Sequence, residues 1–381
     1  MMRLAQRRDR RARYDIAFYV PWLGPLLTSS PAYPTGGAET QIFLLARALA
    51  SRGSKVCLLV FDIPGAQIPA SVDGIDVCVR PPYKSHQALG RIRESVALIR
   101  TVMAADADLI VTRSAGPHVG LVGIAARLSR RRFVFSSANV SDFRVPRLET
   151  KSVNRALFRL GIRLADEIVV QTAEQVELCE ERFGRTPVVI ESIAETTDGG
   201  EHEPQAFLWI GRLVWYKRPL AFVELARRLP EARFAMVGVP VPLDTDGAEF
   251  VEEVEAAAGT VPNLELLAPR PRRELGDLFD RAVAVVNTAD FEGMPNVFLE
   301  GWARGVPALA LSHDPDGVIE RHGLGAFAHG SLDELADHAT SLWRDRGDHA
   351  ALAERCRRYV VDHHSPDVVG ARWQAALAKV A

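Results

Sequence analysis

Cysteine is scarce in this 381-residue chain. Cys57, Cys78, Cys179 and Cys356 stand far apart, with no CxxC or metal-type spacing. That scatter excludes a disulfide framework and a zinc site, and it reads as reduced, mostly buried thiols of a cytosolic protein. Lysine is scarce as well, five residues among 46 Lys+Arg. No stretch reaches the roughly eighteen unbroken apolar residues of a membrane-spanning helix. HExxH, GxSxG, a P-loop GKS and any Cys/His nucleophile pattern are missing, which sets those reaction classes aside. Three Asp-x-Asp patterns exist: Asp106/Asp108 opens a strand, Asp244/Asp246 sits in a loop and Asp314/Asp316 belongs to "HDPDG". With no further ligand cluster around them, none reads as a metal site. His363 and His364 adjoin on what reads as an exposed helix end.

What is there suits a soluble protein of two domains: 48% hydrophobic and 25% charged residues over a length too great for one ordinary core. Net charge is −2, unevenly spread. Residues 1–195 hold 27 Lys+Arg against 19 Asp+Glu, and the remainder holds 19 against 29. A basic first half favours an anionic acceptor or membrane surface, and a random scatter of solvated charge remains the alternative. Met1–Arg13 carries six arginines ahead of "IAFYVPWLGPLL". Pro21, Gly24 and Pro25 break that run, so it reads as a strand and loop rather than a cleaved leader.

Short β-rich runs alternate with longer amphipathic ones almost throughout. "YDIAFYV", "KVCLLVF", "IDVCV", "ADLIVTRS", "RFVFSS", "DEIVVQT" and "PVVIES" read as strands with helices mostly between them. Near-continuous Val/Ile/Leu runs of this kind mark a parallel sheet buried on both faces. The rhythm stops at "AETTDGGEHEPQ", a polar, acidic linker, and restarts with "AFLWIG", "FAMVG", "LELL", "VAVVNT" and "ALAL". "RRELGDLFDRA" reads as one helix, and the last sixty or so residues as almost all helix. The expected organisation is an α/β domain over 1–193, a linker over 194–205 and a second α/β domain over 206–381, with the ligand cleft between them at the carboxyl ends of the strands.

Three stretches carry chemistry. "DFEGMPNVFLEGWARGVPAL" sets Glu292 and Glu300 eight residues apart around Gly293, Met294, Pro295, Asn296 and Val297. Proline suits a first helical turn, so amides near Met294, Asn296 and Val297 would point outward unpaired and cradle an anion or sugar hydroxyls. One glutamate then serves each end of a long, polyhydroxylated ligand. "WIGRLVWYKRP" places Arg212 after Gly211 and Lys217 at the next helix start, cations suited to a diphosphate. With arginine so dominant elsewhere, the compact ammonium of Lys217 looks chosen. "PTGGAETQ" supplies Gly36 and Gly37 before a helix, where backbone approaches a phosphate closely, and Glu39 reads as a first-turn glutamate. His118, in "TRSAGPHVG", either orients an acceptor hydroxyl or is a structural first-turn histidine.

Together these stretches resemble the family 4 retaining glycosyltransferases of the GT-B fold, over nearly the whole chain. The resemblance rests on "GGAETQIFLLARALASRGSKVCLLV", "GRLVWYKRPLAFVELARRLPEARFAMVG" and "EGMPNVFLEGWARGVPALA". It implies two Rossmann-like domains facing each other across a cleft, with C-terminal helices returning to the first. It implies Glu292 near the donor sugar, Glu300 on the nucleotide ribose, Arg212 and Lys217 on the diphosphate, Gly37 in the donor-phosphate loop and, more loosely, His118 near acceptor and sugar. Two departures stand out. "VIESIAE" carries Ser192 where the family commonly has asparagine, and Arg218 follows the motif lysine where glycine is frequent.

The implied reaction moves a sugar from a nucleoside diphosphate to an acceptor hydroxyl with retention, and requires neither a metal nor a cofactor. The nucleotide sugar is the co-substrate. A glycan, lipid-linked or small-molecule acceptor in polysaccharide or glycoconjugate biosynthesis is expected, in the cytoplasm or at the inner membrane face, with peripheral contact to anionic lipid and no nucleic acid. A GT-B epimerase, a much longer glycan phosphorylase and a catalytically silent nucleotide-sugar-binding subunit are the rivals. The sequence names neither nucleobase, sugar nor acceptor.

Overall fold

A computed structural model describes residues 13–28, 36–63, 65–80, 88–144, 152–197, 203–240 and 245–380. The arginine-rich segment 1–12 and the linker's 198–202 lie outside them. The apolar runs form two sheets. The first contains β1 (Tyr14–Tyr19), β2 (Val56–Phe61), β3 (Ser71–Val72), β4 (Ile75–Arg80), β5 (Ala107–Arg113), β6 (Arg132–Ser136), β7 (Glu167–Val170) and β8 (Val188–Val189). Between them run α1 (Gly24–Thr28), α2 (Gly37–Ser51), α3 (Ala88–Ala104), α4 (Pro117–Ser129), α5 (Ser152–Leu164) and α6 (Ala173–Phe183). Strand order is β3-β4-β2-β1-β5-β6-β7-β8.

The second sheet contains β9 (Ala206–Leu213), β10 (Phe234–Pro240), β11 (Leu264–Leu267), β12 (Ala282–Asn287), β13 (Ala308–Ala310) and β14 (Gly325–Phe327), ordered β11-β10-β9-β12-β13-β14. Its helices are α7 (Pro219–Arg228), α8 (Thr245–Gly259), α9 (Gly276–Asp280), α10 (Asn296–Ala303), α11 (Val318–His322), α12 (Leu332–Arg344) and α13 (Ala350–His364). A last helix, α14 (Pro366–Val380), closes the chain.

All described pairings are parallel except β3 with β4. Helices cover both faces of each sheet, which is why β12 is buried at every position and reads as an unbroken apolar run. The sequence reading passes over the β3–β4 hairpin, which turns on Asp73 and Gly74 at φ 50 and 78, the paired left-handed angles a tight hairpin needs. "RRELGDLFDRA" is not one helix. It divides into a short turn at Arg272–Glu274 and α9, with Gly276, a poor helix former, at the junction.

The chain crosses between domains twice. At the first crossing Gln41 of α2 bonds both the N–H and the carbonyl of Ile193 at 2.8 Å. Ala194 then donates to the carbonyl of His364 at 2.8 Å. The second crossing follows α13. Ser365 is extended because it precedes Pro366, and the chain returns as α14. Val369, Trp373 and Leu377 of α14 join the core of the first domain beside Leu45 and Leu49 of α2. By packing, the last helix belongs to the domain that begins the chain.

The two crossings meet at His364. It is fully buried, not at an exposed helix end, because the break at Ser365 sets it between the domains. Its Nδ1 lies 2.7 Å from the Ser192 carbonyl. Ser192, the residue that departs from the family's asparagine, also donates to Gln171 Oε1 at 3.1 Å.

Burial holds the His364 imidazole neutral and pulls its pKa down to about 4. Because the folded value lies below the unfolded one, His364 costs no stability above about pH 6.5, and stability falls as pH drops from there towards 4, by roughly 3 kcal/mol at the limit. Thermal melts of the parent and of His364→Asn across pH 4–7 are the check. The variant is expected to show a shallower acid slope, and an unchanged slope assigns the acid sensitivity elsewhere.

Candidate active site

Each sheet reverses its direction of winding once, between β1 and β5 in the first domain and between β9 and β12 in the second. Loops leaving such a pair diverge and open a crevice at the carboxyl ends of the strands. Those four connections hold the residues singled out in the sequence. Gly36 and Gly37 open α2 after β1, His118 follows β5, Arg212 to Lys217 span the end of β9 and the turn after it, and Glu292 to Asn296 follow β12.

Lys217 sits in a tight turn over Trp215–Lys217, just before α7 rather than within it. Its ammonium contacts Glu292, which is buried and also accepts from Asn139 Nδ2 at 3.2 Å. Burial first, then the nearby Arg212 charge, draws the Lys217 pKa down to about 7. Glu292 is the counter-charge in contact with it. Arg212, exposed at the end of β9, donates to Tyr216 Oη at 2.7 Å. The Tyr216 ring stacks on Phe291 with centroids 5.0 Å apart, which fixes that acceptor. A methyl group at Gly211 would press on the Trp209 ring at 3.0 Å, so the strand end before Arg212 has no room for a side chain.

Arg218 then turns the chain into α7 with φ 48 and ψ 53, the left-handed region. This is the physical reason glycine suits the position. Here arginine bears the conformational cost, about 1 kcal/mol, and its Nη1 reaches Asp290 at 3.3 Å and Ser312 at 3.2 Å.

The Glu292–Asn296 loop faces the first domain and is tied to it. Met294 N–H donates to Gln171 Oε1 at 3.2 Å, so this amide is paired, contrary to the expectation from sequence. Pro295 stands at the cap position, one residue before α10, leaving Asn296 and Val297 as the first-turn amides. The Asn296 side chain donates to the Gly37 carbonyl at 2.9 Å and accepts from Gln41 at 3.0 Å. A Cβ on Gly293 would stand 2.9 Å from the Ala138 carbonyl and 3.0 Å from Gln171 Oε1. His313 contacts the Gly293 carbonyl at 3.1 Å and lies close enough to Lys217 to feel its charge.

Glu300 lies a turn and more along α10, paired with Arg272. Burial raises its pKa, while Arg272 and Arg304 oppose the rise. His118 is in the first turn of α4, 6.0 Å from the Tyr19 ring, and burial takes its pKa to about 4. It is a neutral imidazole packed within the first domain. Beside it Arg113 donates to Ser136 Oγ at 2.9 Å, and its Nε is buried without a partner. Glu39 folds back onto Gly36 and feels Arg212 and Arg113 from opposite sides of the crevice, its pKa raised by burial.

Among the described residues no group of three or more His, Cys, Asp or Glu side chains is placed to hold a metal ion. Asp106 and Asp108 both pair with Arg131, Asp314 accepts from the amides of Ile319 and Glu320, and Asp316 accepts from Ala173. Asp244 lies outside the described residues.

Residues 36–194 match the family described as "Glycosyl transferase 4-like domain", and residues 196–360 the family described as "Glycosyl transferases group 1". The chain is a group 1 glycosyltransferase. The sequence resemblance to family 4 agrees with both matches. Solved structures share its GT-B fold at low identity. Sucrose-phosphate synthase from Thermosynechococcus elongatus is 14% identical with a TM-score of 0.76, the alignment covering 96% of this chain and 99% of that one. Anabaena HepE in complex with UDP and glucose is 17% identical with a TM-score of 0.73 over the same shares. The lipopolysaccharide outer core galactosyltransferase WaaB is 15% identical with a TM-score of 0.62, again over 96% and 99%.

In this glycosyltransferase the side chains that sequence reasoning missed are Arg113, Asn139, Gln171 and Arg272. Asn139, Gln171 and Arg272 meet the motif loops from distant stretches, whereas Arg113 stands within the quoted His118 stretch without having been singled out. Gln41 lies inside the quoted glycine-loop stretch, but its bonds to Ile193 and Asn296 depend on the domains meeting.

Two substitutions probe these loops. Gly293→Ala inserts a methyl against backbone that cannot yield, so a melting loss worth roughly 1–3 kcal/mol and a larger radius of gyration by X-ray scattering are expected. Unchanged values of both place the loop away from the first domain in solution. Arg218→Ala keeps the left-handed strain and loses both bonds, whereas Arg218→Gly loses the bonds and the strain. The alanine variant is therefore expected to melt lower than the glycine variant, by about 1 kcal/mol in stability.

Proposed function

We propose that the protein transfers a hexosyl group from a nucleoside-diphosphate sugar to an acceptor hydroxyl, with retention and without a metal ion. The observation that carries this reading is the Lys217–Glu292 contact at the β9–β12 crevice, with Arg212 beside it and the first domain across it. A buried ion pair is a poor way to gain stability and a good way to hold a polar site ready for a ligand. Arg212 and Lys217 would meet the diphosphate, and the first-turn amides of Asn296 and Val297 and the Gly36–Gly37 loop would add dipoles aimed at the same charge. As the glycosidic bond breaks, the departing phosphate gains negative charge while the sugar becomes oxocarbenium-like. Cations already in place stabilise that change without reorganising. Glu292, beside Lys217, would meet the donor sugar, and Glu300, with Arg272, the ribose. His118, neutral in the first domain, is placed to accept from or donate to a sugar or acceptor hydroxyl.

HepE has been solved with UDP and with UDP-glucose, which makes uridine the base to test first. A glycan or lipid-linked acceptor, in polysaccharide or glycoconjugate biosynthesis at the cytoplasmic side of a membrane, is the acceptor reading that the basic first half supports.

Calorimetry with UDP, GDP, ADP and TDP in the presence of a chelator, on the parent and on Arg212→Ala, is the test. One nucleotide is expected to bind, and the variant to lose about tenfold to a hundredfold because a charge-assisted contact to phosphate disappears. No binding by any nucleotide overturns the donor site. Binding without sugar transfer to any acceptor, or hydrolysis, favours a silent partner subunit, and the anomeric proton coupling of a product reads retention directly.

A further inference from the structure

On one face of the first sheet, α4 packs between α3 and α5, and their inward residues Leu98, Val102, Val122, Ala126, Phe158 and Ile162 share one core. The outer surface of that layer is unusual in two ways. Six aliphatic side chains are exposed on it: Ile92 (61%), Val96 and Met103 on α3, Leu128 (64%) on α4, and Val153 (65%) and Leu160 on α5. The same three helices carry seven arginines against one acidic residue, Glu94. Arg91, Arg93, Arg100, Arg159 and Arg163 have no carboxylate partner among the described residues. Arg182, Arg233 and Arg344 also lack a carboxylate partner among the described residues, so what sets this layer apart is seven arginines against one acid together with six exposed aliphatic side chains.

We propose that the α3–α4–α5 face docks the protein on an anionic lipid bilayer. Unneutralised guanidinium groups are drawn to lipid phosphate, and aliphatic side chains interleaved with them can enter the headgroup boundary. Nucleic acid fits less well. The exposed apolar groups are all aliphatic, whereas nucleic-acid surfaces use aromatic rings for stacking. The helices run antiparallel to the strands, so the amino ends of α3 and α5, with Ile92 and Val153, lie at the end of the sheet where the crevice opens. A bilayer held there brings a lipid-borne hydroxyl to the cleft. No described helix is long and apolar enough to cross a membrane, so the contact is peripheral. The proposal deepens the glycosyltransferase reading by placing its acceptor on lipid.

The full chain would be sedimented with phosphatidylcholine vesicles and with vesicles containing an equal part of phosphatidylglycerol, at low and high salt. Binding to the anionic vesicles alone, weakened by salt, is expected. Arg159→Glu/Arg163→Glu should weaken it at least about tenfold, and Leu160→Ser should weaken it at both salt levels. UDP binding, measured on the same preparations, should be unchanged, showing that the variants fold. Equal binding to neutral vesicles, parent-like binding by the charge-reversed variant, or displacement from vesicles by stoichiometric single-stranded DNA would each overturn the proposal. Loss of UDP binding in the parent itself would count against the donor site and leave the vesicle result to be judged alone.

Discussion

The closure of the Glu292–Asn296 loop onto the first domain is the constraint on which the rest depends. Its parts come from opposite ends of the chain: Asn139 and Gln171 from the ends of β6 and β7, Gln41 and Gly37 from α2, and the loop itself from β12. Gly293 is small because the Ala138 carbonyl stands where a side chain would be. Asn296 is an amide because it must donate to one partner and accept from another, which no carboxylate or aliphatic residue can do. A loop held by several polar contacts of this kind positions Glu292 far more narrowly than a solvated turn could.

That positioning explains an otherwise costly arrangement. Lys217 and Glu292 are both withdrawn from water, and burial alone would favour their neutral forms. Their contact keeps opposite charges together in a crevice that Arg212, Glu39 and Asn139 also border. The left-handed Arg218 next to Lys217 belongs to the same bargain. The backbone accepts strain so that the ammonium and the Arg212 guanidinium face the same space, and Arg218's own side chain is secured to Asp290 and Ser312. Buried charge therefore lies where catalysis is proposed, while the two sheet cores are apolar.

His364 joins this site to the architecture. It lies where both crossings between domains meet, bonded to Ser192, which in turn bonds to Gln171, the residue holding Met294. A continuous set of hydrogen bonds thus runs from the domain crossings to the Glu292–Asn296 loop. Acid that charges His364 would act on both.

Most of the architecture was legible in the sequence because it follows from local pattern. Runs such as "VAVVNT" must be buried on both faces, strand–helix alternation must give parallel sheets, and a polar glycine-containing stretch must separate two cores. The E-x7-E and Arg/Lys stretches were likewise singled out by residue type and spacing, and the structure brings Glu292 and Lys217 into contact. Only the tertiary structure decided which groups are in contact. Met294's amide meets a glutamine 123 residues away, His364 is buried by a chain reversal at Ser365, Arg113 carries no mark of its role although it stands in the quoted His118 stretch, and Asn139 reaches the crevice from a loop after β6 that contains no site motif. The short β3–β4 hairpin and the break before α9 escaped because so few residues define them. Period and composition fix what a segment can bury, whereas a side chain's partners are set by the docking of segments that share no sequence neighbourhood.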